Sequence, residues 1–210
     1  MIRLLIADDH AIVRGGLRQL FALASDMQVV AEAANGSEVL ACLRQQSVDL
    51  LLLDLNMHGI SCADLIARVK AHHSDLPLLI FSMNNEPLVA ARMLKAGANG
   101  YITKNCEPDI LLTAVRKVAA HGNYIDPDIA ERMAFDATST ASRPRHALLS
   151  EREFEVFHLL TTGQGVNDIA TQLAISRKTV STHKARLLEK LNLSSMAELM
   201  RYAMQHDLLG

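Results

Sequence analysis

The chain has 210 residues, room for one large domain or two small ones. Half are apolar, enough for at least one sizeable core, which excludes a disordered or fibrous chain. The formal charge of −2 is unevenly spread: residues 143–210 hold nine Lys/Arg against seven Asp/Glu, residues 1–142 twelve against sixteen. A more basic C-terminal part hints at a polyanion partner. Cys42, Cys62 and Cys106 are scattered, odd in number and form no CxxC pair, which argues against a disulfide framework or a structural zinc site. Reduced thiols in a cytoplasmic protein are expected. The N-terminal MIRLLIADDH reaches acids too soon for a signal peptide, and no run approaches the ~18 apolar residues of a membrane span, so no membrane partner is expected.

In chain order, Arg3–Ala7, Val29–Ala33, Leu50–Leu53, Leu78–Phe81 and Tyr101–Thr103 read as strands. Several are apolar without alternation, as in parallel strands covered on both faces. Between them the 3.6-residue period predicts helices over 12–24, 37–46, 62–71, 87–96 and 108–121. The last two open with Pro87 and Pro108 and stop before Gly97 and Gly122. Five βα alternations imply a doubly wound parallel sheet, whose chemistry sits past the carboxyl ends of its strands. A short helix is expected over 128–136. DATSTASRPRH, 136–146, has no apolar period and reads as a mobile linker. From 148 onward the pattern is all helical. Ser150 and Glu153 form a capping box, Gly163 ends that helix, and further helices are expected over about 166–173, 177–191 and 196–206.

Asp8 and Asp9 follow the first strand, Asp54 the third, Ser82 the fourth and Lys104 the fifth. Neighbouring parallel strands would bring these side chains to one edge. Carboxylates that close repel one another unless a cation neutralises them, and an oxygen-only cluster with open positions suits Mg²⁺. Acids, a hydroxyl and a lysine converging on one pocket are what phosphoryl transfer to a carboxylate needs. Any one of them alone is more often a cap, a turn residue or a solvated charge; the joint placement carries the reading.

ADDH (7–10), LLLDLNMHG (51–59), FSMN (81–84), AGANGYITK (96–104) and the helix opened by Pro108 make residues 1–122 resemble the receiver domain of two-component response regulators. The resemblance implies a five-stranded, flavodoxin-like sheet in the order 2-1-3-4-5. It also implies Asp54 as phosphoacceptor, and Mg²⁺ held by Asp9, Asp54 and the backbone carbonyl of Asn56, with Asp8 assisting through water. Ser82 and Lys104 would bind the phosphoryl group, and Tyr101 matches the aromatic switch, which would rotate inward when Asp54 is phosphorylated and Ser82 moves toward the new group. One departure is His58, where the family usually has Pro; the following Gly59 keeps the turn possible. His58 is open to three readings: a tolerated surface substitution, a titratable group that tunes phosphoryl lifetime, or a loosened loop. His10 reads as a packing or hydrogen-bonding residue rather than a catalytic one.

The segment 149–191 resembles a LuxR-type helix-turn-helix, with Ile169, Ala170, Leu173, Ile175, Ser176, Thr179, Val180, His183, Lys190 and Leu191 on its pattern. Independently of that likeness, two short helices meet at a tight turn over 173–176. The second puts Val180, Leu187 and Leu191 inward and leaves small, polar and cationic residues on its other faces, as a helix entering a major groove requires. By family position Ser181, Thr182 and Ala185 face base edges, whereas Lys178, Lys184 and Arg186 suit phosphates; Lys190 is placed at the edge of the core. Val166 and Asn167 replace the Asn-Lys that commonly opens the first helix of the pair, so a phosphate contact there is in doubt.

The two likenesses in this order imply a NarL/FixJ-type response regulator. The expected organisation is a receiver over 1–122, an extra helix and linker over 123–147, and an all-α DNA-binding domain over 148–210. The expected partners are a histidine kinase, double-stranded DNA and a second copy of the chain. Leu199, Tyr202 and Ala203 on the last helix are candidates for the dimer face, with burial inside the domain as the competing explanation. Alternatives are a DNA-binding protein whose receiver is only a passive dimerisation module, and an enzyme such as a phosphatase. No second general acid or Gly-rich phosphate loop supports the latter, so a non-enzymatic regulator is expected.

Overall fold

Leu4–Ala7 and Leu50–Leu53 are buried on both sides, which only a central position in a covered sheet allows. The computed structural model describes all residues except 58, 139–143, 174, 207, 209 and 210; of 136–138, 147 and 151 it describes the backbone alone. The chain divides into two compact units, Met1–Ala134 and Phe135–Gly210.

In the first unit β1 (Ile2–Ala7), β2 (Met27–Ala33), β3 (Leu50–Leu53), β4 (Leu78–Ser82) and β5 (Gly100–Thr103) alternate with α1 (Ala11–Ala22), α2 (Gly36–Gln45), α3 (Cys62–His72), α4 (Pro87–Ala96) and α5 (Pro108–Ala119). All strand pairings are parallel, in the order β2-β1-β3-β4-β5-β6. The expected order therefore holds for five strands, but the five-stranded sheet is corrected to six. The added strand β6 (Tyr124–Ile125) pairs with Gly100 and Tyr101 of β5. Two residues are too few to show a period, so nothing in the sequence marked it. The sheet thus continues past residue 122, the expected end of the receiver. Gly100 makes the approach possible: a Cβ there would lie 2.8 Å from the Tyr124 carbonyl and 2.8 Å from Leu79 Cδ1. Leu4, Ile6, Leu17, Phe21, Leu52, Leu79, Ile102, Leu111, Val115 and Val118 form one apolar layer between sheet and helices. Helix α6 (Pro127–Thr138) follows β6.

The second unit is helical: α7 (Glu151–Thr161), α8 (Val166–Gln172), α9 (Arg177–Leu191) and α10 (Met196–Gln205). The Ser150 hydroxyl accepts from Glu153 N–H at 3.3 Å and the Glu153 carboxylate from Ser150 N–H at 2.8 Å, the predicted capping box. Val156, Phe157, Ile169, Val180, Leu187, Leu191 and Leu199 make the core.

Two expectations are corrected here. The linker does not extend to 147, because a 3₁₀ turn over Arg145–Leu148 is tied into the second unit. Arg145 Nη1 donates to the Leu191 carbonyl at 3.0 Å, and buried His146 meets the Tyr202 hydroxyl through its backbone N–H at 3.2 Å and Nδ1 at 3.0 Å. Residues 139–143 of that linker, and His58, lie outside the described residues. The candidate dimer residues also face inward: Leu199 and Ala203 are 0% exposed, and Tyr202 is half-buried against His146. Their spacing on α10 is that of a core stripe, and burial, the competing explanation, wins. The outward residues of that helix are Ala197, Arg201, Met204 and Gln205.

Candidate phosphoacceptor site and nucleic-acid interface

The register of the sheet brings the expected pocket together. Asp54 N–H donates to the Ala7 carbonyl at 2.8 Å and Lys104 N–H to the Ser82 carbonyl at 2.8 Å, so the ends of β1 and β3, and those of β4 and β5, are level in pairs, with β4 beside β3. Asp8 and Asp54 are buried there, 1% and 4% exposed. Lys104 Nζ lies 2.6 Å from Asp8 Oδ2 and 3.0 Å from Asp54 Oδ1. Ligand atoms of Asp8, Asp9, His10 and Asp54 all fall within 4.8 Å of one another. His10 is the member the sequence reading set aside; its place directly after the acid pair was the available signal. Its ring is 69% exposed, with Nδ1 2.8 Å from Asp9 Oδ1. Arg14, also unforeseen, donates from Nη1 to the Asp8 carbonyl at 2.6 Å and steadies the β1–α1 turn.

Burial pushes the Asp54 carboxyl above its ordinary range; Asp8 and Asp9 add to that, and Lys104 opposes it. Burial alone would push the Lys104 ammonium down, but its bonds to Asp8 and Asp54 outweigh this and hold it above its ordinary value. Three carboxylates stand against one ammonium at this edge. The oxygens of Asp8, Asp9 and Asp54, within reach of one another, fit a hard dication. Asn56 sits in the exposed turn after Asp54, and Gly59 has φ +102°, the left-handed conformation that only Gly adopts without strain.

Ser82 is fully buried, its hydroxyl accepting from Asn84 N–H at 3.1 Å. Tyr101 is fully buried as well and donates from its hydroxyl to the Asn84 carbonyl at 2.8 Å. Burial pushes its phenol far up, so it remains a donor. The ring therefore occupies the inward position that the sequence reading assigned to the phosphorylated protein.

In the second unit α9 is capped by Ser176, whose hydroxyl accepts from Thr179 N–H at 3.1 Å, and closed by Asn192 at φ +56°. Ile175 N–H bonds the Ala170 carbonyl at 3.0 Å between α8 and α9; residue 174 of that turn lies outside the described residues. Val180, Leu187 and Leu191 are fully buried, which leaves Lys178, Ser181, Thr182, Ala185 and Arg186 exposed and Lys184 half-buried. The expected split of the helix into a core stripe and a polar, cationic face is therefore present. Lys190 faces the core edge: its ammonium is 2.6 Å from buried Glu153 and 3.2 Å from the Leu148 carbonyl. Arg152 donates from Nη2 to the Leu173 carbonyl at 2.9 Å, closing the end of α8.

Residues 4–116 match the response regulator receiver domain, and residues 147–203 match the bacterial regulatory proteins of the luxR family. The chain is 34% identical over 209 residues to the response regulator UvrY of Escherichia coli K12, covering 99% of this chain and 96% of that protein. It is 39% identical over 199 residues to the transcriptional regulatory protein UhpA of Salmonella typhimurium LT2, covering 95% and 96%. RcsB from Salmonella enterica serovar Typhimurium, solved bound to a promoter in the presence of phosphomimetic BeF3⁻, superposes with a TM-score of 0.76 at 26% identity, over 97% of this chain and 98% of that one. Among the described residues, no helix is long and apolar enough to cross a membrane. With a parallel α/β unit ending in an acid cluster and a helix-turn-helix behind it, the chain belongs to the two-component response regulators of the NarL/FixJ type, transcription regulators that join a receiver to a LuxR-type DNA-binding domain.

Proposed function

We propose that this chain is a cytoplasmic transcription regulator switched by phosphorylation of Asp54. The observation that carries the reading is Lys104 held between Asp8 and Asp54 at 2.6 and 3.0 Å, next to buried Ser82. A carboxylate oxygen of Asp54 attacks the phosphorus of the donor, a histidine kinase in the cell, and the bond from phosphorus to the donor breaks. Lys104 carries positive charge to the phosphoryl oxygens and the Ser82 hydroxyl donates to one of them. Asp9, Asp54 and the Asn56 backbone carbonyl would hold Mg²⁺, with Asp8 acting through water. When bound, that ion supplies further positive charge against the incoming oxygens. Tyr101 fills the space behind Ser82 and its hydroxyl fixes the loop at Asn84. The added charge of about −1.5 to −2 biases this loop between two positions.

The output is DNA binding through α9. Ser181, Thr182 and Ala185 read base edges and Lys178, Lys184 and Arg186 hold phosphates. Two copies present two recognition helices to half-sites about one helical turn apart. We assign the phosphoacceptor domain to residues 1–125, through β6, and DNA binding to residues 145–210, from the 3₁₀ turn onward, joined by the segment between. The protein promotes its own phosphorylation and dephosphorylation and has no other substrate.

Incubation with Mg²⁺ and a small-molecule phosphodonor tests this. A mass gain lost in Asp54→Ala, together with tighter DNA binding, is the expected result. No gain would leave the receiver a passive dimerisation module, and turnover of an added phosphoester would make the protein an enzyme.

A further inference from the structure

Two sets of contacts on α6 differ in kind. At its start Asp126 is nearly buried and ties the helix to β5. Its Oδ2 accepts from Thr103 Oγ1 at 2.8 Å and from Thr103 N–H at 3.4 Å, its own N–H donates to the Tyr101 carbonyl at 2.9 Å, and its carbonyl accepts from Ala130 N–H at 2.9 Å. Thr103 directly precedes Lys104 in the pocket. Midway along the helix Arg132 is half-exposed and its contacts are longer. Nη1 donates to the Asn85 carbonyl at 3.1 Å, and Nη2 lies 3.8 Å from Glu86 Oε2. Asn85 is the neighbour of Asn84, the residue whose carbonyl takes the Tyr101 hydroxyl and whose N–H bonds Ser82 Oγ. Glu86 N–H in turn bonds Asn84 Oδ1 at 2.8 Å, so residues 82–86 are tied into one short hydrogen-bonded piece.

We propose that α6 is the output lever of the receiver, with Asp126 as its fixed pivot and Arg132 as a positioning residue that latches it to the 82–86 loop. The adjoining carbonyls of Asn84 and Asn85 engage Tyr101 and Arg132 together, so the inward position of Tyr101 and the latched position of α6 belong to one arrangement. The inference rests on the reading of Asp54 and Tyr101 given above, under which that arrangement is the phosphorylated one. Geometry amplifies the signal. Arg132 lies six residues from the pivot, about 9 Å at 1.5 Å per residue, and the helix ends at Thr138, about 18 Å from it. A shift at the latch is therefore roughly doubled where α6 hands the chain on toward the DNA-binding unit.

The test is DNA affinity of the full chain, with and without Mg²⁺ and acetyl phosphate, on a fragment that the unaltered protein protects. Arg132→Ala should leave affinity without the donor and the mass gain at Asp54 unchanged, while the affinity gain on phosphorylation falls about two- to five-fold, the worth of one half-exposed charged contact. Arg132→Lys should recover part of it, and Arg68→Ala, on the exposed face of α3, should match the unaltered protein. A full gain in Arg132→Ala, or an equal loss of affinity in both conditions, overturns the latch. Failure of the underlying switch would instead show in the unaltered protein, as a mass gain with no change in DNA affinity, and the latch would fall with it.

Discussion

Lys104 and Lys190 use the same chemistry for different ends. Each ammonium meets a buried carboxylate at 2.6 Å, Asp8 in one case and Glu153 in the other. Lys104 stands at an open acid cluster, whereas Lys190 also bonds the Leu148 carbonyl and fastens α9 to the start of α7. Burial disfavours the Glu153 carboxylate, yet Lys190 and Ser150 hold its pKa below the ordinary range. Lys190→Ala should therefore destabilise the protein by about 1–3 kcal/mol, the cost of a buried carboxylate that loses its cation and keeps the Ser150 N–H, while the salt dependence of DNA binding stays unchanged; chemical denaturation and binding titrations check the two halves. Lys184→Ala should do the reverse, with stability kept and the slope of log K against log salt falling by about one unit for all sequences alike. Thr182→Ala should alter sequence preference in a binding-site selection. The Thr182 hydroxyl now donates to the Lys178 carbonyl at 2.9 Å and must turn away to reach a base.

At the scale of the element, α10 shows how one pattern serves two readings. An apolar stripe on a terminal helix suits a dimer face and a core face equally, and sequence spacing does not separate them. With Leu199 and Ala203 buried, Leu199→Ala should cost about 2–5 kcal/mol in unfolding free energy and leave the oligomeric state, measured by sedimentation, as it was. The strands and helices that were legible are those with four or more residues of clear period or with a cap, such as Leu50–Leu53 and the helix capped by Ser150. Asp8, Asp54, Ser82 and Lys104 were legible because parallel topology fixes where strand ends meet. Tyr124–Ile125 was too short to show a pattern. The attachments of Arg14, Arg132, Arg145 and Arg152 were invisible for another reason: each donates to a backbone carbonyl, and a carbonyl carries no residue identity. Helices α7 and α9 add a pH dependence, through His158 and His183. Burial pushes His158 below its ordinary value, and burial with Arg152 and Arg186 does the same to His183. Below about pH 6.5 the unfolded chain takes up protons that the folded chain refuses, so stability should fall as pH drops from 7 through that window and stay level above it. Thermal unfolding of His158→Gln should show a shallower fall than the unaltered protein.

Across the whole molecule, each unit carries its own apolar core: Phe21, Leu52 and Val115 in one, Phe157, Leu187 and Leu199 in the other. Separate cores let a covalent event in one unit alter the task of the other without either repacking. The sheet of the first unit has a further consequence at its two rims. A strand lying at a rim offers free backbone donors and acceptors to any other chain, the usual start of aggregation. One rim is β6, whose two residues are too few to template a foreign strand. The other is β2, where the register against β1 jumps from Leu4 opposite Val29 to Leu5 opposite Ala31, an irregularity that breaks the even ladder a stacking partner would need. The sheet is thereby guarded on both flanks against polymerising through its backbone.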